Sequence, residues 1–128
     1  MPAGVWRQSL GMLTIYAYDR CDTCRKALRW LDDHSIAHRT KAIRETPPSV
    51  AELKIMLAAQ GGEVRKLFNT SGVDYREQGI AKKLPDLSQA EAIALLAANG
   101  NLVKRPFVIG DDHHLVGFKP ETWTEEFT

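Results

Sequence analysis

Leu13-Thr14-Ile15-Tyr16-Ala17-Tyr18, followed after Asp19-Arg20 by Cys21-Asp22-Thr23-Cys24-Arg25-Lys26-Ala27-Leu28-Arg29-Trp30-Leu31, is the stretch that decides the fold. The first run reads as a strand. From Arg25 to His34 the apolar residues Ala27, Leu28, Trp30 and Leu31 form the stripe of a helix packed on a sheet. Both cysteines of the chain fall at the junction between the two. Cys21 lies at or just before the helix N-terminus, where unpaired backbone N–H groups and the helix dipole favour a thiolate over a thiol. Arg20 and Arg25 act in the same direction. Cys21 is therefore the expected nucleophile, and Cys24, one helical turn deeper, its resolving partner. Thr23 sits in the first turn, where its hydroxyl either donates to the Cys21 sulfur or only satisfies the helix end.

Other readings of the cysteine pair are open to weighing. A structural disulfide closing a four-residue loop would add little constraint, and the N-terminal residues lack the apolar centre of a signal peptide. A zinc site needs about four ligands. His34, His38, His113 and His114 are scattered and supply no second ligand cluster, so no metal is expected. An inert pair of small core residues stays open. The strand-to-helix placement favours redox chemistry, because a CxxC in that context resembles a thioredoxin-like motif.

The balance of 17 basic and 16 acidic side chains leaves a formal charge of +1. Such a charge recruits neither nucleic acid nor an anionic membrane. No apolar run approaches the ~18 residues of a membrane span, so the expected compartment is a reducing cytoplasm. At 128 residues the chain is long enough for one domain with a real core. Residues 1–11 have no periodicity and are expected to be a flexible N-terminal extension, with a single domain over 12–128.

Further along, Ala37 to Ile43 reads as a second strand of imperfect alternation. Ser49 with Glu52, and Ser88 with Glu91, form capping boxes ahead of apolar helical patterns that stop at Gly61-Gly62 and Asn99-Gly100. Between them Glu63–Phe68 predicts a short helix, Asn69–Gly72 a turn, and Tyr75 to about Lys83 one more helix. Phe107–Ile109 and Leu115–Phe118 flank a polar turn and predict a hairpin, and Pro120 opens a last helix carrying Trp123 and Phe127. The order is β-α-β, a helical block over about 47–100, then β-β-α. It predicts an α/β fold with a mixed sheet and helices packed on it. Lys104-Arg105-Pro106 immediately precedes the third strand, and Arg105 is the best second group to assist Cys21, as an aid to the thiolate or a forked clamp for an anion. A surface arginine beside an ordinary proline would look the same.

Three ordered motifs together resemble the arsenate reductase (ArsC)/Spx family. They are Arg20 to Leu31 around the cysteines, Leu67-Phe68-Asn69-Thr70-Ser71-Gly72 with Tyr75-Arg76, and Lys104-Arg105-Pro106 with Val116-Gly117-Phe118. The resemblance runs from about Met12 to the C-terminus. It implies a thioredoxin-like fold with a helical insertion, Cys21 as the catalytic cysteine, and Arg105 as the arginine before a cis proline, Pro106. Thr23, Arg25, Pro106 and Asn69 are the expected substrate-binding or site-shaping residues around them.

The departures from the family pattern separate its branches. Glutaredoxin-linked arsenate reductases use three arginines around the oxyanion, whereas this chain keeps Arg105 and has Asn69 and Gly117 near the other two places. The second cysteine is similar to Spx, the redox-sensing regulator that binds the α-subunit of RNA polymerase, and Gly61-Gly62 falls near the Spx docking glycine. The asparagine loop and Tyr75-Arg76 look more like uncharacterised YffB-like members. The leading expectation is a thiol-dependent oxidoreductase without a bound cofactor. Glutathione would be its co-substrate, or glutaredoxin or thioredoxin its partner. The alternative is an Spx-like regulator binding the polymerase α-subunit. Neither contacts nucleic acid directly or enters a membrane.

Overall fold

The computed structural model describes residues 12–127 of the chain, so the expected extension over residues 1–11 lies outside the described residues. The chain folds as two compact units. One is built from the chain before Ala42 and after Lys104, and the other is Ala42–Lys104.

The first unit holds a mixed four-stranded sheet in the order β2-β1-β3-β4. Its strands are β1 (Leu13–Ala17), β2 (His38–Ala42), β3 (Phe107–Ile109) and β4 (His114–Val116). β1 pairs antiparallel with β3, Ile15 opposite Val108, and β3 pairs antiparallel with β4, Val108 opposite Leu115. Strand alternation sends Leu13, Ile15, Ala17, Val108 and Leu115 to one face. There they are buried with Ala27 and Leu31 of α1 (Asp22–Asp33) and Trp123 of the C-terminal helix α6 (Pro120–Phe127). Trp123 is the largest fully buried side chain and takes Trp30 and Phe118 edge-on at 5.6 and 4.7 Å. Tyr16 and Phe107 alternate to the opposite face and meet edge-to-face at 5.7 Å. β2 is an edge strand, and Arg39 to Ala42 are exposed, which is why its alternation was imperfect in sequence.

α1 stops without a glycine. Ser35 adopts φ +56°, and the Ser35 and Ile36 N–H groups donate to the Asp32 and Leu31 carbonyls at 3.1 and 3.0 Å, closing the helix end. His34 stacks on Trp30 with ring centroids 3.9 Å apart. The polar turn of the hairpin is tied down: the half-buried His113 bonds Glu126 of α6 at 2.7 Å and packs on Phe127.

The second unit is the helical block. Its helices are α2 (Val50–Ala59), α3 (Val73–Glu77), α4 (Ile80–Lys83) and α5 (Gln89–Ala98). Both expected capping boxes form: Ser49 and Ser88 each accept from the N–H of Glu52 and Glu91, whose carboxylates accept in return. Leu53, Met56 and Leu57 of α2 and Ala92, Ile93 and Leu96 of α5 are buried as these two helices pack together. Val64–Leu67 is a 3-10 turn. The helix expected from Tyr75 to Lys83 is instead two, α3 and α4, because Gly79 takes the left-handed conformation at φ +63°. The block closes through Asp74, whose carboxylate accepts from the Asn99 and Asn101 side chains at 2.9 and 3.3 Å.

Candidate active site

Cys21 is the N-cap of α1, with extended backbone at φ −98° and ψ 116°. Its N–H donates to the Tyr18 carbonyl at 3.1 Å and its carbonyl accepts from the Arg25 N–H at 3.0 Å. Its sulfur takes the place a serine oxygen usually holds and accepts from the Cys24 N–H at 3.3 Å. The half-buried sulfur is thus the accessible one of the pair, and an orphan amide points at it.

Cys24 is the opposite. It is fully buried within the core formed by β1, α1 and α6, and both cysteines are free. Burial pushes its thiol up to about 12, and the adjacent Cys21 adds to the rise, while a hydrogen bond with the Tyr18 backbone and the charge of Arg105 oppose it. One CxxC therefore holds a sulfur that solvent can reach and a sulfur kept protonated in the core.

Arg105 is half-buried and Pro106 buried, and the bond between them is cis. The Arg105 guanidinium lies over the Tyr18 ring, 5.0 Å from its centroid. The Pro106 carbonyl accepts from the N–H of Gly117, whose φ of +76° suits glycine. Arg25 is directed elsewhere: its guanidinium pairs with Asp22 and donates to the Asp19 carbonyl at 2.9 Å. Thr23 is exposed in the first turn of α1.

Cys21, Thr23, Cys24, Arg25, Arg105 and Pro106 all belong to the first unit. Asn69 belongs to the second, where its N–H donates to the Leu102 carbonyl at 2.7 Å and its carbonyl accepts from Gly72 at 3.0 Å. A Cβ on Gly72 would meet the Asn69 side-chain amide at 2.8 Å, so a larger residue there requires that side chain to shift. Sequence reasoning passed over Tyr18 as a strand residue. Its position three before Cys21 was visible, but its approach to Arg105 depends on how β1 and β3 pair. Among the described residues no three His, Cys, Asp or Glu side chains gather as metal ligands. No described helix is long and apolar enough to cross a membrane.

A CxxC capping the helix that follows the first strand of a mixed four-stranded sheet defines a protein of the thioredoxin-like fold. More particularly, the chain belongs to the ArsC family, whose model matches residues 16–126. The uncharacterized protein YusI of Bacillus subtilis is 42% identical over 115 residues, 90% of this chain and 98% of YusI. The crystal structure of an ArsC family related protein from Bacteroides fragilis superposes with a TM-score of 0.85 at 44% identity, covering 91% of this chain and 98% of that one. The global transcriptional regulator Spx of Enterococcus faecalis is 29% identical over 110 residues, 86% of this chain and 82% of Spx.

Proposed function

We propose that this ArsC-family protein is a cytoplasmic thiol-disulfide oxidoreductase in which Cys21 attacks and Cys24 resolves. The observation that carries the reading is the asymmetry of the pair, an accessible sulfur at a helix N-terminus beside a buried thiol pushed up to about 12. The Cys21 thiolate attacks one sulfur of a disulfide such as oxidised glutathione. The S–S bond breaks, the departing thiolate takes a proton, and Cys21 is left in a mixed disulfide. Bonded Cys21 no longer bears charge, so its part in holding the Cys24 proton is gone, while Arg105 and the Tyr18 backbone still favour the thiolate. Cys24 gives its proton to solvent and attacks the Cys21 sulfur, releasing the second thiol. The substrate has gained two electrons and the protein carries Cys21–Cys24. A dithiol of glutaredoxin or thioredoxin returns them, or two glutathione molecules where the substrate is another disulfide.

The test is to incubate Cys24→Ser with oxidised glutathione and map the adduct by mass spectrometry. A stable glutathione adduct on Cys21, absent from Cys21→Ser and replaced by an internal disulfide in the unsubstituted protein, is the expected result. An adduct on neither cysteine would refute the reading.

Similarity to Spx of Enterococcus faecalis supports a second reading, in which the same disulfide switches a surface for the RNA polymerase α-subunit. Capture of α-subunit that differs between reduced and oxidised protein would favour the regulator.

A further inference from the structure

We propose that Tyr18 is a positioning residue whose ring holds the Arg105 guanidinium at the cysteine site, where it receives an anionic group carried by the disulfide substrate. The proposal rests on the thiol-disulfide reading and names the substrate class, a disulfide with a carboxylate near its sulfurs.

Tyr18 follows β1 directly, and three separate contacts join it to the site. Its carbonyl accepts the Cys21 N–H at 3.1 Å, its backbone bonds Cys24, and its ring lies 5.0 Å from the Arg105 guanidinium carbon. The first two are made by the backbone and survive a change of side chain. Of these three, only the last is made by the ring.

An arginine has a long rotatable stem and a planar head that stacks on aromatic faces, and a ring beneath it limits where that head goes. Arg105 and Tyr18 are both half-buried, which shields the contact from water. Asp22, the carboxylate in the first turn of α1, is paired with Arg25. What remains for the guanidinium is its forked set of N–H donors, which suits a carboxylate.

The experiment compares rates of Cys21 reaction with an anionic disulfide, dithiobis-nitrobenzoate, and a neutral one, hydroxyethyl disulfide. The same thiolate attacks both, so the ratio of rates cancels its intrinsic reactivity and reports recognition of charge. Tyr18→Leu is expected to lower the anionic-to-neutral ratio roughly 3- to 10-fold, the range a partly shielded cation–π contact supplies. Tyr18→Phe, which keeps the ring, should preserve it. In an Arg105→Ala background Tyr18→Leu should change nothing further. A purely structural effect of Tyr18 would persist there.

A second measurement needs no variant: the ring current of Tyr18 should shift the Arg105 side-chain protons upfield in the NMR spectrum. An unshifted resonance overturns the proposal even if Tyr18→Leu does not fold. An unchanged ratio in Tyr18→Leu, or an equal loss with and without Arg105, also overturns it while leaving Cys21 chemistry standing. Cys21 inert to both disulfides overturns the redox reading and this proposal with it.

Discussion

Removing the Cys24 sulfur should reverse the order of stability of two proteins as the pH rises. In the unfolded chain this thiol titrates near its ordinary 9.0, whereas in the native core it is pushed up to about 12, chiefly by burial. Between those values the native state keeps a proton that the unfolded chain has released. Stability therefore falls as pH climbs, by about 1.4 kcal/mol per pH unit. The contribution is complete below pH 9.0, and about 4 kcal/mol of it has gone at about pH 12. Cys24→Ala abolishes this dependence and leaves a void of about one heavy atom in a core position that is 0% exposed, which costs about 1 kcal/mol. Near pH 8 the variant should thus be the less stable protein by about 1 kcal/mol. Near pH 10.5 the parent will have lost about 2 kcal/mol from this one group, and the variant should be the more stable by about 1 kcal/mol. Lysines and tyrosines that titrate in the same window are common to both proteins and cancel in the difference. Urea unfolding followed by tryptophan fluorescence, with a phosphine to keep the thiols reduced, measures it. A difference that stays constant from neutral to alkaline pH would show that Cys24 ionises in the core as easily as in the unfolded chain.

Arsenate should be turned over poorly in a glutaredoxin-coupled assay. Two missing charge-assisted partners, at about 1.5–3 kcal/mol each, amount to roughly 10²- to 10⁴-fold, and turnover at the rate of a three-arginine enzyme would contradict this. Gly100→Ala should destabilise the protein by about 3 kcal/mol or more in thermal unfolding, because a Cβ there would lie 1.8 Å from the Ile43 carbonyl oxygen. Ser35→Gly should raise stability by about 0.5–1 kcal/mol in the same assay, since glycine relieves the left-handed backbone at φ +56° that ends α1.

Where local pattern and tertiary packing agreed, the elements were legible in the residues. Alternation in Leu13–Ala17 and the stripe Ala27, Leu31 announced β1 and α1, because the same side chains that set the period fill the core. Ser49/Glu52 and Ser88/Glu91 announced two helix starts through bonds made within four residues. The break between α3 and α4 was hidden, because a glycine in a helical pattern does not declare its φ. The site divides the same way. The cysteine pair was readable from spacing and neighbours, Arg105 was singled out only through the family resemblance, and the Asp22 partner of Arg25 was available at i, i+3 spacing. Tyr18 over Arg105, and His113 on Glu126, join residues distant in sequence and become visible only when the sheet and α6 bring them together.

The sheet ends on one side at β2, whose outer row of backbone donors and acceptors would otherwise be a template for another strand. Arg39 and Lys41 stand exposed on that short strand, with the Lys41 ammonium 5.6 Å from the centroid of the Tyr16 ring. Two copies approaching edge to edge would bring these like charges together before any ladder formed. Salt screens such charges, so the electrostatic barrier to joining along β2 falls as ionic strength rises.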